Sequence, residues 1–173
     1  TGTMFGEKIK RVEDPALLRG KGRYLDDIHL PNMLYAAFVR SPFAHAKVTN
    51  INAMAALAAN GVVAIYTLED LRDFLTDTVM PVEQPSNALK LSASPSVLAD
   101  GEVRYVGEPI AMVIAETPYG AEDATALVDV SYDTLPVSSN YVAALEDGAP
   151  KANNELKDNN VAGFTLAYGD VDW

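Results

Sequence analysis

The sequence predicts an α+β domain: a mixed sheet with two or three short helices and extended arms at both ends. Three observations predict it. The stretch Val106–Pro136, VGEPIAMVIAETPYGAEDATALVDVSYDTLP, reads as strand, cap, helix and strand in immediate succession. Further short β-type runs alternate with brief helical ones between residues 34 and 106. Both ends are rich in turn residues and poor in periodicity. On this reading residues 1–33 are an extended arm, 34–145 the domain and 146–173 a linker.

The arm carries the turn signals Asp14-Pro15, Gly20, Gly22, Asp26-Asp27 and Pro31-Asn32. Asp14 is expected to cap a one-turn helix opened by Pro15 and ending near Gly20. An irregular arm of this length suits a chain that packs against something else. Leu34–Arg40 and Ala46–Ile51 are strands joined by a loop containing Pro42. Asn52 is placed to cap the short helix AMAALAAN, and Gly61 to close it in the left-handed conformation. Val62–Tyr66 is the third strand. Thr67-Leu68-Glu69-Asp70 forms a capping box with Asp at the third helical position, and that helix should end by Leu75.

Thr76–Gly101 reads as a long irregular loop holding Pro81, Pro85 and Pro95, a length that is usually functional or partner-bound. Val103–Val106 begins the next strand. Pro109–Ala115 is almost wholly apolar, as in a strand covered on both faces. Thr117 caps a helix with Pro118 at its first position. Ala121, Ala124, Thr125 and Val128 give that helix a narrow face of small residues, which lets it sit close to a sheet. Leu127–Tyr132 is the next strand. Val142–Leu145 is at most one helical turn, residues 146–163 are polar and turn-rich, and Phe164–Tyr168 is a last short strand. The chain then stops without a terminating signal, as a fragment would.

Composition narrows the function. The 173 residues suit one domain, large enough for a core without disulfides. There is no cysteine, so no zinc–cysteine site, iron–sulfur ligation or thiol nucleophile is expected, and a reducing, cytoplasmic setting fits. No run is long and apolar enough for a membrane span, and the N-terminus lacks the apolar core of a secretory signal. The net charge of −11 argues against nucleic-acid binding. The charge is uneven: +3 over the first 23 positions and −14 over the rest. The basic arm is either an interaction strip or a solvated segment.

Candidate sites are weak. Gly20-Lys21-Gly22-Arg23 lacks the spacing of a phosphate loop and reads as a turn. His29 and His45 are the only histidines, and neither has a partner at metal-motif spacing. The acidic pairs Asp26-Asp27, Glu69-Asp70, Glu122-Asp123 and Glu146-Asp147 cannot converge on one reacting group from adjacent positions. Two of them fall in the first turns of expected helices, where they complement the dipole. No GxSxG elbow occurs. The eight tyrosines read as core and edge-strand residues.

Three stretches, in order, carry a resemblance. They are Arg11-Val12-Glu13-Asp14-Pro15 with Leu18-Arg19-Gly20, Gly22-Arg23-Tyr24 and Asp26-Asp27; Leu34–Pro42 with Ala44-His45-Ala46; and Val106-Gly107-Glu108-Pro109 with the segment that follows. Together they resemble the N-terminal part of the large subunits of molybdenum hydroxylases, the xanthine dehydrogenase, aldehyde oxidase and carbon monoxide dehydrogenase family. The resemblance runs to about Tyr141 and weakly through Gly169-Asp170-Val171.

It implies an α/β hammerhead fold ahead of larger molybdopterin-binding domains, toward which residues 146–173 would lead. It implies that the complete enzyme oxidises or hydroxylates an aldehyde, an N-heterocycle or carbon monoxide with oxygen from water. Molybdenum–molybdopterin, in its cytosine dinucleotide form, would sit in the complete subunit, with 2Fe–2S and FAD on partner subunits or domains. The family's pterin loops and catalytic glutamate lie downstream, so the resemblance assigns no catalytic, cofactor-binding or metal residue within this chain. Leu89 and Leu91 in the long loop either anchor it to its own core or face the substrate funnel or a partner domain. The alternative to this reading is a stand-alone hammerhead-type binding or scaffold module without redox chemistry.

Overall fold

The computed structural model describes residues 6, 10–80, 94–161 and 169. The chain divides into two compact units, Thr1–Met33 and Leu34–Trp173.

In the first unit, helix α1 (Asp14–Leu17) is one turn long. Its N-cap is Glu13 rather than the expected Asp14, and no side chain caps it, so Pro15 sits inside the first turn. Gly20 takes φ +63° at its end, and the Lys21 N–H reaches back to the Ala16 carbonyl at 2.8 Å. A 3-10 turn at Leu25–Asp27 follows, where the Tyr24 N–H donates to Asp27 Oδ2 at 2.9 Å.

The second unit contains strands β1 (Tyr35–Arg40), β2 (Ala46–Asn52), β3 (Val62–Thr67), β4 (Glu102–Val103), β5 (Pro109–Ala115) and β6 (Asp129–Thr134). Its helices are α2 (Met54–Leu57), α3 (Leu68–Leu71) and α4 (Pro118–Thr125). The strands form two three-stranded sheets, ordered β1–β5–β3 and β4–β2–β6, and every pairing is antiparallel. The expected mixed sheet thus resolves into two. The strand–helix–strand run is not a parallel crossover unit, because β5 lies at the centre of one sheet and β6 at the edge of the other.

Most local expectations hold to within two residues. Thr117 accepts the Gly120 N–H at 3.0 Å, and Pro118 starts α4. Asp70 closes the capping box on α3, accepting the Thr67 N–H and hydroxyl at 2.7 Å each. The helix expected over residues 53–60 is shorter: α2 ends at Leu57 with Ala58 as its C-cap, so Gly61, at φ +79°, turns the chain into β3 instead of closing the helix. Asn52 sits one place before the N-cap, Ala53, and its Oδ1 accepts the Met54 N–H at 3.2 Å. β6 begins two residues later than expected, because the Leu127 and Val128 N–H groups still bond back to Ala124 and Thr125. The strand expected over Val103–Val106 is cut to Glu102–Val103, since the chain turns through Gly107 at φ +88° before β5. A 3-10 turn stands at Ala143–Leu145.

The Thr76–Gly101 loop is described at 76–80 and 94–101. Val79 bridges Ser96, and Leu98 and Ala99 are buried. Leu89, Leu91 and the strand expected at Phe164–Tyr168 lie outside the described residues.

The core is built largely from small side chains. Val39, Ala111 and Val113 pack with Ala56 of α2, Ala124 of α4 and Val128. Ala37 and Ala115 receive Ala121 of α4. Ala46, Val103, Ile110 and Ala99 join the second sheet to β5. Alanines on α4 bring its backbone close to the sheet, and this close approach makes the interface sensitive to added volume.

Candidate functional site

The titratable groups that the fold buries together gather at one end of the β4–β2–β6 sheet. His45 directly precedes β2, and Glu102 lies in β4. Arg104 and Glu108 flank the turn into β5, and Pro136 follows β6. The antiparallel register that sets Lys47 against Glu102 and Ala46 against Thr134 brings these sites together.

His45 is 4% exposed. Its Nδ1 lies 2.8 Å from the Pro136 carbonyl, which can only accept, so Nδ1 carries a proton. Its Nε2 lies 3.1 Å from Glu102 Oε1, and that contact requires one proton between ring and carboxylate. The second Glu102 oxygen accepts from Asn154 Nδ2 at 3.0 Å. Burial opposes the Glu102 charge, but the hydrogen bonds from Asn154 and His45 outweigh it and hold its carboxyl below the usual range.

Glu108 behaves oppositely. It is 2% exposed, and burial pushes its carboxyl up, although it accepts the Arg104 and Tyr105 N–H groups. Its main chain is tied to β1: the Ser41 N–H donates to the Glu108 carbonyl at 2.9 Å, and the Gly107 N–H to the Ser41 carbonyl at 2.8 Å. Arg40 Nη1 donates to the Gly107 carbonyl at 2.8 Å. Arg104 lies between carboxylates, with Nε 3.8 Å from Glu102 and Nη2 3.6 Å from Glu155. Its Nε is buried without a hydrogen-bond partner. Beside it opens a cleft of about 420 Å³, lined also by Ser138, Tyr141, Asn153, Leu156 and Asn159.

A histidine beside a carboxylate has the parts of a general base. Here both ring nitrogens are engaged and the ring is buried, so no nitrogen faces a substrate. The cluster is a clasp that fastens three strand ends and the 149–160 segment. Among the described residues, no group of three His, Cys, Asp or Glu side chains is arranged to hold a metal ion. His45 and Glu102 are spent on each other and on the Pro136 carbonyl and Asn154, and the remaining buried donor, Arg104 Nε, lies 3.8 Å from the Glu102 carboxylate, so these residues do not fit a molybdenum cofactor. No helix among the described residues is long and apolar enough to cross a membrane.

The other candidates from the sequence have local settings of their own. His29 is exposed in the first unit, where Gly20 ends a turn and Lys21–Arg23 follow without a turn of their own. Glu69 pairs with Arg72 at 2.7 Å, and Asp70 serves as a cap. Glu122-Asp123 lies in the second turn of α4, beyond its first-turn positions. Sequence reasoning missed Glu102, Arg104 and Glu108. Only Glu108 left a signal, as a lone charge between Val106-Gly107 and an apolar run.

The family model described as aldehyde oxidase and xanthine dehydrogenase, a/b hammerhead domain, matches residues 19–136. The chain is 37% identical over 172 residues to the nicotine 6-hydroxylase large subunit of Paenarthrobacter nicotinovorans, covering 99% of this chain and 21% of that protein. It is 36% identical over 169 residues to the xanthine dehydrogenase molybdenum-binding subunit of Escherichia coli O157:H7, covering 93% and 21%. Among solved structures it is similar to reconstituted CO dehydrogenase from Oligotropha carboxidovorans. There the TM-score is 0.75 and the identity 40%, over 88% of this chain and 18% of that one. The chain spans about a fifth of the length of these relatives.

Proposed function

Because the chain belongs to the aldehyde oxidase and xanthine dehydrogenase a/b hammerhead family, we propose that it is the hammerhead domain of a molybdenum hydroxylase large subunit. The observation that carries this reading is the match across almost the whole chain to a fifth of the nicotine 6-hydroxylase large subunit. The domain is structural in itself. The molybdenum cofactor, in its cytosine dinucleotide form, is held by the rest of the subunit and supplies the redox chemistry there. The complete enzyme oxidises or hydroxylates an aldehyde, an N-heterocycle or carbon monoxide, and electrons leave to 2Fe–2S and FAD on partner subunits or domains. The enzyme works in the cytoplasm.

Within this arrangement the residues of the chain hold geometry. The His45–Glu102–Asn154 clasp keeps the strand ends and the segment after β6 in one place. The Glu108 turn ties β5 to β1. Metal analysis of the full-length subunit, with dye reduction by aldehydes, purines, nicotine and carbon monoxide, tests the proposal. Molybdenum together with turnover of one of these substrates is expected. A full-length protein that lacks molybdenum and reduces no dye overturns it in favour of a stand-alone module.

A further inference from the structure

We propose that the outer face of the β1–β5–β3 sheet is a docking face covered by the remaining domains of the same polypeptide. The proposal rests on the large-subunit reading above and deepens it by naming the surface those domains use. The register places Ala36, Ile114 and Ala64 in one cross-strand row, and Phe38, Met112 and Tyr66 in the next. Residues directly opposite in a sheet share a face. These six therefore point away from Ala37, Val113 and Ile65, the neighbouring row that packs into the cores with α2 and α4. None of the six belongs to those cores. Phe38 is 40% exposed, Ala36 is exposed, and the other four are only partly buried. Among the described residues of these three strands, the charge on this face is Arg40, whose guanidinium stands 5.7 Å from the Phe38 ring centre.

A continuous apolar sheet face is a surface that water disfavours and a partner covers. Its size selects the occupant. A stable interface between separate chains takes roughly 20–30 residues a side, and six side chains fall well short. A tethered domain meets no such demand, because linkage supplies an effective concentration in the millimolar range. The chain spans about a fifth of the length of its relatives, so the large-subunit reading provides a tethered occupant with ample surface. The Arg40 guanidinium is engaged by the Phe38 ring and the Gly107 carbonyl, and the rest of the row is apolar but for the Tyr66 hydroxyl, so a largely apolar surface is its complement.

The test is thiol labelling at Ala36→Cys and Ala64→Cys in the full-length large subunit, read by peptide-resolved mass spectrometry. The denatured protein gives the unprotected rate. In dilute, isolated subunit, labelling on the order of 100-fold slower than in the denatured protein is expected. Labelling at the unprotected rate overturns the proposal. Protection that appears only as concentration rises, with dimer mass, assigns the face to a second copy. Protection that appears only on adding partner subunits assigns it to them, and either result overturns the tethered occupant. Molybdenum is measured on the same preparation. A molybdenum-loaded subunit with freely labelled thiols removes the docking face alone. A protected subunit without molybdenum keeps the face and removes the reading beneath it.

Discussion

His45 Nε2 and Glu102 Oε1 stand 3.1 Å apart, with side-chain exposures of only 4% and 14%. Removing one member of a buried pair leaves the other uncompensated, and typically costs about 3–5 kcal/mol. Glu102→Ala is therefore expected to lower stability by about 3 kcal/mol. Glu102→Gln, which can still bond the ring, should cost less than half of that. Urea unfolding of the three proteins checks the order, and equal stability of wild type and the alanine variant would refute the clasp.

The same carboxylate sets an acid dependence. Its folded value lies below its ordinary 4.5. Its contribution is therefore fully present above that value and is lost as pH falls through the lowered folded one. The stability gap between wild type and Glu102→Gln should close on acidification below pH 4.5, in unfolding curves taken at stepped pH. A gap that widens instead is the contrary result.

Glu108 predicts the opposite sign. Its folded value is raised above 4.5 by burial. Its contribution is present below that pH and lost as pH rises through the raised value. Relative to Glu108→Gln, the wild type should lose ground as pH climbs from 4.5 toward neutrality. A pH-independent difference between the two would show that the carboxyl is not desolvated as the structure has it.

The α4 interface predicts an intolerance of volume. Ala121 and Ala124 are each 1% exposed against β1, β5 and α2. Ala124→Leu is expected to cost about 1–3 kcal/mol through overpacking. Thr117→Ala should cost about 1 kcal/mol through the lost cap, and Thr117→Ser much less. Thermal or urea unfolding ranks them, and a neutral Ala124→Leu would mean the helix stands off from the sheet.

Asn159 predicts a local rather than a global effect. Its side chain donates to the Ala144 and Pro150 carbonyls at 2.9 Å each and accepts the Ala152 N–H at 2.8 Å. Asn159→Ala should speed amide exchange at Ala152 and its neighbours while leaving β5 protected. Unchanged exchange there would show that this segment is held by other contacts.

The sequence made some of this legible and left the rest out of reach. The α4 cap, the Asp70 capping box and the left-handed Gly61 were readable because each is settled within three or four residues. The three ordered stretches were enough to place the chain in its family. The division of the strands into two antiparallel sheets was not readable, because the apolar run of β5 suits the centre of either a parallel or an antiparallel sheet.

What the sequence determined by itself, then, was local: the shape of Val106–Pro136, its helix start, its small-residue face, and through its motifs the family. Only the tertiary structure decided which charges meet. His45 reaches Glu102 across 57 positions and Pro136 across 91, and no local pattern encodes such distances. They follow from strand pairing, which sets the register of β2 against β4 and β6 and so converts scattered residues into one buried clasp. The same pairing leaves Phe38 and Met112 side by side on the open face of the first sheet. The strand pattern gave each residue an inside and an outside, and only the assembled sheets decided which side packs against the helices.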